Sequence, residues 1–375
     1  MRKSCLALAA AALLVPTWLA AQTVSVLGRS PLPNVTLVRA GHFVTADVED
    51  LLVLQTIGRM ELARSRGGAR VPVEVQRLAL VRFSERAAFS VWQSPPFITG
   101  APLPIDVAST AWAAGDFDAD GLDELLMIAA DSARLVSFGP DTITVAASPF
   151  PASAIEQAVA CRLDSSGPLQ VATLGEMAGW DTMAGPTTDS GQAPARTYAV
   201  GLYALDSIGW HAVGTEPPGL GLTPDKHAKL CGAARLEDYD GLLPVIAVVA
   251  GELKPSAYSI VLPGDSGGIR LSDKPFPWQE WFAKERPLPS GPLQVENVGD
   301  TLIAFGYFVP GARPGGPTRS CAALDDGEWR VLQFTAAAER LAGPVCRFTK
   351  EGVDGWLEVR DDLLYFYAGE IFRWR

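Results

Sequence analysis

The chain has 375 residues, with 31 lysines and arginines against 42 aspartates and glutamates, a formal net charge of −11. No basic cluster stands out, which excludes nucleic acid as a favoured partner, because affinity for a phosphate backbone needs concentrated positive charge. Beyond the N-terminus no stretch is apolar for long enough to cross a bilayer, so no membrane span is expected in the mature chain.

The first 21 residues have the order of a secretory signal. A basic start at residues 1–3 is followed by an apolar run from Cys5 to Val15 and by small residues up to Ala21. The alternative, a membrane anchor, is weaker because the run is shorter than the roughly 20 residues that a span requires. We therefore expect a signal peptide over residues 1–21, one domain over residues 22–375, and a secreted, periplasmic or cell-surface location.

A unit of strand, polar turn and strand recurs along the mature chain. The six copies cover residues 41–54, 112–128, 161–172, 234–247, 295–304 and 346–359. A second strand pair follows each copy, such as Ala133 to Phe138 with Thr142 to Ala146. Four short strands per unit, repeated at intervals of roughly 45 to 75 residues, favour an all-β propeller of four-stranded antiparallel blades over a sandwich or a solenoid.

The number of copies predicts six blades. A seventh blade stays possible, either in the diverged stretch between Pro275 and Pro292 or completed by the N-terminal strand from Thr23 to Leu27.

The run from Gly115 to Gly121, Gly-Asp-Phe-Asp-Ala-Asp-Gly, resembles the signature of the FG-GAP or VCBS repeats of integrin-α-like propellers. The resemblance is strong in this copy and weaker in the other five. It implies a β-propeller with metal-binding turns that serves as an interaction scaffold.

The same run predicts a structural calcium site. Calcium takes about six to eight oxygen ligands, and a short loop supplies them when carboxylates alternate around a glycine that allows a sharp turn. The predicted ligands are, in chain order, Asp116, Asp118, Asp120, Leu122 through its carbonyl oxygen, and Glu124. Glu124 stands at the ninth position, where the resemblance implies a closing acid, and Asp123 is its neighbour or its substitute if the register slips. The alternative is a solvated acidic turn that binds no ion tightly.

The other copies depart from this pattern. In the first, His42, Val44 and Ala46 replace the three aspartates and Asp50 alone remains at the closing position, so this loop should not bind calcium. An arginine takes the first ligand position in three later copies, at Arg162, Arg235 and Arg347. Such a guanidinium could pair with the remaining acids and tie the turn together, or it could point into solvent.

The mature chain has four cysteines, Cys161, Cys231, Cys321 and Cys346, without the close spacing of a zinc or redox site. Cys161 and Cys346 share one position of the repeat, which favours buried thiols over a disulfide framework.

No catalytic constellation stands out. The three histidines are scattered, and the Gly-Asp-Ser-Gly-Gly string at 264–268 is explained as a hairpin tip. We therefore interpret the chain as a non-enzymatic scaffold for an extracellular protein or carbohydrate, the alternative being a polysaccharide lyase or hydrolase on a propeller. The loops at 175–195 and 274–282 are candidate ligand surfaces, although Trp278 and Trp281 could equally close the gap between blades.

Overall fold

A computed structural model describes most of the N-terminal half and the C-terminus of the chain, and parts of the region between. The described residues are 24–63, 70–83, 87–98, 110–129, 131–151, 155–161, 169–176, 197–213, 219–221, 228–238, 241–250, 259–261, 270–272, 294–298, 301–307, 319–325, 328–336, 338, 341 and 343–373. Their regular secondary structure is entirely β-strand, which confirms the all-β prediction. No helix with the length and apolarity of a membrane span occurs in these ranges.

The strands of the first half, in chain order, are β1 (Val24–Arg29), β2 (Val35–Thr45), β3 (Val48–Ala63), β4 (Arg70–Phe83), β5 (Ala88–Gln93), β6 (Phe97–Ile98), β7 (Thr110–Gly115), β8 (Glu124–Ala129), β9 (Ser132–Phe138), β10 (Ile143–Pro149), β11 (Ile155–Cys161), β12 (Gln170–Glu176), β13 (Thr197–Leu205) and β14 (Trp210–Ala212).

The remaining strands are β15 (Gly219–Gly221), β16 (Ala228–Asp238), β17 (Gly241–Ala250), β18 (Ser259–Val261), β19 (Arg270–Ser272), β20 (Gln294–Val298), β21 (Thr301–Tyr307), β22 (Arg319–Asp325), β23 (Glu328–Phe334), β24 (Val345–Lys350), β25 (Val353–Arg360), β26 (Leu363–Ala368) and β27 (Phe372–Arg373).

These strands form five antiparallel sheets of four or five strands and two two-stranded sheets. The larger sheets have the orders β2-β3-β4-β5, β10-β9-β8-β7, β11-β12-β13-β14, β20-β21-β22-β23-β27 and β1-β26-β25-β24, with β6 beside β4 and β15 beside β13. The two smaller sheets are β16-β17 and β18-β19, and β17 contacts β18. The N-terminal strand β1 therefore lies in the same sheet as the strands of the last repeat copy.

Adjacent residues on the central strands are buried on opposite faces. Leu51 packs into a cluster shared with β24 to β26, whereas its neighbour Leu52 packs into a cluster shared with β8 and β9. Leu125 and Leu126 on β8 divide in the same way between the first sheet and the third. Because neighbouring sheets cover both faces, these strands read as continuous apolar runs rather than alternating patterns.

The first strands of successive repeat copies contact one another. β7 contacts β11, β11 contacts β16, β16 contacts β20, and β20 contacts β24. β24 contacts β2, and β2 in turn contacts β9 of the following sheet. The sheets thus pack side by side through these strands and through four apolar clusters of described side chains.

Candidate metal site

The acidic loop joins β7 to β8 in the second large sheet. Gly115 at the end of β7 pairs with Glu124 at the start of β8, so residues 116–123 form the connection. The loop turns through two residues with left-handed backbone, Ala119 (φ 62°) and Gly121 (φ 88°). Glycine meets this requirement at Gly121 without the steric cost that a side chain brings.

The loop draws three carboxylates together. Asp116, Asp118 and Asp120 each offer an oxygen within 4.8 Å of the others. The loop's own backbone holds them: the Gly121 N–H donates to Asp116 Oδ2 at 3.2 Å, and the Asp120 N–H to Asp118 Oδ1 at 3.1 Å. The Leu122 N–H likewise donates to Asp120 Oδ1 at 2.8 Å. Three predicted ligands therefore converge, with Leu122 beside them.

One carboxylate oxygen in this cluster lacks a partner. Asp116 Oδ1 is buried and has no hydrogen bond, while the side chains of Asp118 and Asp120 are exposed. A buried carboxylate oxygen is unfavourable unless it is paired or bound to a cation. The three aspartates are hard oxygen donors of the kind that calcium prefers, so the residues present fit such an ion.

The closing acid, Glu124, holds the beginning of the loop. Its side chain is buried, and Oε2 accepts a hydrogen bond of 2.8 Å from the Phe117 N–H. Burial raises the pKa of Glu124 to about 7, against the lowering effect of that N–H group, and repulsion from the three loop aspartates raises it further. Glu124 lies outside the group of three converging carboxylates, and its hydrogen bond to the Phe117 N–H positions the chain beside them.

Asp123 links the acidic loop to the first repeat copy. Its Oδ2 accepts a hydrogen bond of 2.8 Å from the His42 N–H, and its own N–H donates to the His42 carbonyl oxygen at 2.8 Å. Burial raises the pKa of Asp123, partly offset by the His42 N–H. A side chain at Gly41 would overlap the Asp123 carboxylate, so the close approach requires glycine there. Asp123 thus connects two sheets rather than joining the three converging carboxylates.

The same position of the repeat makes the cross-sheet contact at two other junctions. Glu49 accepts a hydrogen bond from the Thr349 N–H of the last copy. Leu169 of the third copy lies where a side chain on Gly115 would be. No role was predicted for Glu49 or Leu169 from the sequence; the available signal was their shared place in the repeat, directly before the closing position.

The first copy lacks the three loop aspartates, and the acid at its closing position, Asp50, pairs with Arg82. Asp50 is completely buried, and its Oδ1 accepts a hydrogen bond of 3.1 Å from Arg82 Nε on β4. Burial raises the pKa of Asp50, whereas the Arg82 guanidinium and the Val44 N–H lower it. From the sequence we predicted a guanidinium at the first ligand position of later copies but not Arg82, which comes from the third strand of the sheet.

Arg347 is the described member of the arginine series. It pairs with Glu370 (Nη1–Oε1 2.6 Å), which lies beyond the loop of its own copy, and its guanidinium lies 5.7 Å from the ring centroid of Trp356. The side chains of Arg162 and Arg235 lie outside the described residues.

Of the four mature cysteines, Cys346 is a buried thiol in the cluster between the first and last sheets, as predicted. The side chains of Cys161, Cys231 and Cys321 lie outside the described residues. So do the signal segment, the Gly-Asp-Ser-Gly-Gly string, and almost all of the two candidate ligand loops.

No protein-family model and no curated protein sequence matches this chain. The resemblance to FG-GAP or VCBS repeats therefore stays a prediction from the residues themselves.

Proposed function

We propose that this chain is an exported six-bladed β-propeller of the FG-GAP or VCBS type. In this proposal a calcium ion stabilises the second blade, and the propeller serves as a scaffold that binds a protein or polysaccharide outside the cytoplasm. The observation that carries the calcium assignment is the convergence of Asp116, Asp118 and Asp120 around a buried carboxylate oxygen that has no partner.

The cyclic contacts support the propeller. The first strands of the six copies follow one another in contact from β7 through β11, β16 and β20 to β24, which contacts β2, and β2 contacts the second sheet through β9. A series that returns to its beginning is what blades around a common axis require. The pairing of β1 with β26 supports the same reading, because the first described strand then completes the sheet of the last repeat copy.

The repeated cross-sheet contact supports the proposal that neighbouring blades pack against one another in the same way. Glu49, Asp123 and Leu169 hold the same position in three copies, and each reaches the C-terminal part of the first strand in the neighbouring copy. With β16 to β19 counted as one blade, since β17 contacts β18, the strands group into six units.

The acidic loop would hold the ion with Asp116, Asp118 and Asp120, completed by the Leu122 carbonyl and by Glu124. Calcium would supply a positive charge that neutralises these acids. Phe117 lies inside the same loop, fully buried, and meets Trp210 of the third sheet edge to face at 5.6 Å between ring centroids. Asp123 reaches the first sheet. Fixing the loop would therefore stabilise the contacts of the second blade with both of its neighbours.

The assignment as a scaffold rests on the resemblance and on where propellers bind their partners. Loops at the ends of the blades carry recognition, while the blades hold those loops in place. The alternative, a propeller enzyme acting on polysaccharide, requires a cluster of catalytic side chains at one mouth of the central channel.

Thermal unfolding with calcium and with excess chelator tests the metal assignment. An ion present at about one hundred times its dissociation constant adds about 2.7 kcal/mol to the free energy of unfolding. We expect calcium to raise the melting temperature and Asp118→Ala/Asp120→Ala to abolish the increase. The matched control is Asp131→Ala/Asp141→Ala, which removes two exposed aspartates from the same sheet and should retain it. An equal response of both double variants would contradict the assignment.

A further inference from the structure

A groove lies between the first and second large sheets. It has a volume of about 330 Å³, and its walls include Val44 of β2, Leu80 of β4 and Phe138 of β9, all buried. Val91 of β5 and Ile143 of β10 form its rim, with side chains 40% and 46% exposed. This volume lies at the lower end of the range of about 300 to 1,000 Å³ that is usual for small-molecule sites.

Two local features place the apolar rim. In the pairing of β4 with β5, Leu80 is opposite Trp92 and Val81 is opposite Ser90. Val91 is therefore the extra residue of a bulge in β5. Bulges redirect side chains in this way. On the other side, the Gly139 N–H donates to the Thr142 carbonyl oxygen at 2.7 Å, and this tight turn pairs Ile143 with Phe138. The two rim residues thereby reach one opening from different sheets.

Arg82 is the cationic side chain of the groove. Its Nε is held by the fully buried Asp50, which fixes the guanidinium at the wall. Among the described residues Asp50 is its one hydrogen-bond and ion-pair partner, and the Arg82 side chain lines the groove. The other polar residues, Asp141 and Thr142, are exposed on the turn at the mouth.

A guanidinium that lines a groove with buried hydrocarbon walls is suited to a carboxylate, which such a group binds through two parallel hydrogen bonds. The buried walls are hydrocarbon, and a ligand chain lying against them must need no hydrogen-bond partners of its own. A saturated alkyl chain meets this condition. An extended peptide does not, because its amide groups would be buried without acceptors or donors.

We propose that the groove between the first two sheets binds a small amphiphile that ends in a carboxylate, of the medium-chain fatty acid class. Arg82 binds the carboxylate, and Val44, Leu80, Phe138 and the two rim residues cover the alkyl chain. The site is independent of the metal loop and of the scaffold function proposed above.

Calorimetric titration of the purified protein with decanoate tests this proposal, with decanol and decyltrimethylammonium as probes of equal chain length. We expect decanoate to bind at least about tenfold more tightly than either of these, because a charge-assisted pair with Arg82 distinguishes the head groups. Arg82→Lys keeps the charge but loses the planar fork, and it should weaken decanoate while leaving decanol unchanged.

The rim offers a matched set of variants that keep Arg82 and the core intact. Ile143→Asp places a like charge at the opening and should weaken decanoate by about tenfold or more, whereas Ile143→Lys should not weaken it. Val145→Asp is the control, since Val145 is 59% exposed on the same strand but does not line the groove.

Three results would overturn the proposal. Decanoate could fail to bind below its micellar concentration, decanol could bind as tightly as decanoate, or Val145→Asp could weaken decanoate as much as Ile143→Asp does. Binding of a short apolar peptide in preference to decanoate would also refute the assignment of the ligand class.

Discussion

Removing the Arg82 guanidinium should leave the Asp50 carboxylate buried without its ion partner. Asp50 is 0% exposed, its Oδ1 is bound by Arg82 Nε at 3.1 Å, and its Oδ2 is buried with no hydrogen bond. Truncating one member of a buried pair costs about 3 to 5 kcal/mol. The Arg82 side chain is 26% exposed, so we expect Arg82→Ala to lower the free energy of unfolding by about 3 kcal/mol, the lower end of that range.

The loss should depend on pH with a defined sign. Burial raises the pKa of Asp50 in the folded protein, and Arg82 opposes that increase. A raised folded-state pKa means that the folded protein binds the proton more tightly than the unfolded chain, so this group favours folding more as the pH falls. Without Arg82 the folded-state pKa rises further. The destabilisation of Arg82→Ala should therefore be largest near neutral pH and should shrink as the pH falls.

Urea unfolding monitored by circular dichroism at about pH 7.5 and about pH 5.5 measures both effects. Asp50→Asn/Arg82→Ala should recover most of the loss, because it removes the unpaired charge. Arg59→Ala is the control: its side chain is 76% exposed, and its ion pair with Glu74 should contribute at most about 1 kcal/mol. A stabilising role for the Asp50–Arg82 pair is contradicted if Arg82→Ala loses no more stability than Arg59→Ala, or if its loss is the same at both pH values.

Two further predictions concern the packing between sheets and strands. Gly343→Ala should lower the melting temperature by several degrees, because the added methyl group would overlap the Val359 carbonyl oxygen. Gly58→Ala is the control, since no atom lies within 4 Å of its added methyl group, and equal melting temperatures of the two variants would contradict the prediction. Glu49→Ala should cost about 1 to 3 kcal/mol in urea unfolding because the Thr349 N–H loses its acceptor, whereas exposed Asp47→Ala should be neutral; an unchanged Glu49→Ala would show that the hydrogen bond is dispensable.

Local signals in the sequence were sufficient for the strands and the loop. A strand pair was predicted over Ala133 to Phe138 and Thr142 to Ala146, and β9 and β10 occupy nearly those residues. The spacing of Asp116, Asp118 and Asp120 predicted converging carboxylates, and the structure brings them within 4.8 Å of one another. Both depend on residues close in the chain, where geometry follows from spacing.

Contacts between distant residues could not be read in the same way. Arg82 is 32 residues from Asp50, and Asp123 is 81 residues from His42. The sequence around each of these residues does not indicate its partner, because each pairing depends on how two strands or two sheets pack. The sequence shows a glycine at position 41, but it does not show why one is required, because the Asp123 carboxylate that leaves no room for a side chain there belongs to the next sheet.

Strands β3 and β4 of the first sheet are longer than the sequence predicted. The first repeat copy ends at Leu54, yet β3 continues to Ala63 and pairs with β4 from Arg70 onward. Exposed residues such as Ile57, Arg59 and Met60 follow Leu54, so no buried face produces a period-2 pattern there. Backbone pairing and exposed side-chain contacts such as the Arg59–Glu74 ion pair extend β3, and neither produces an apolar pattern in its sequence.

A crystal structure of the protein grown with calcium tests the central claim most directly. We predict six sheets around one axis, with β1 in the same blade as β24 to β26, and an ion about 2.3 to 2.6 Å from oxygens of Asp116, Asp118 and Asp120. Seven sheets, or an open array in which β2 and β24 do not meet, would contradict the six-bladed ring. A loop that holds no ion at saturating calcium would contradict the metal site.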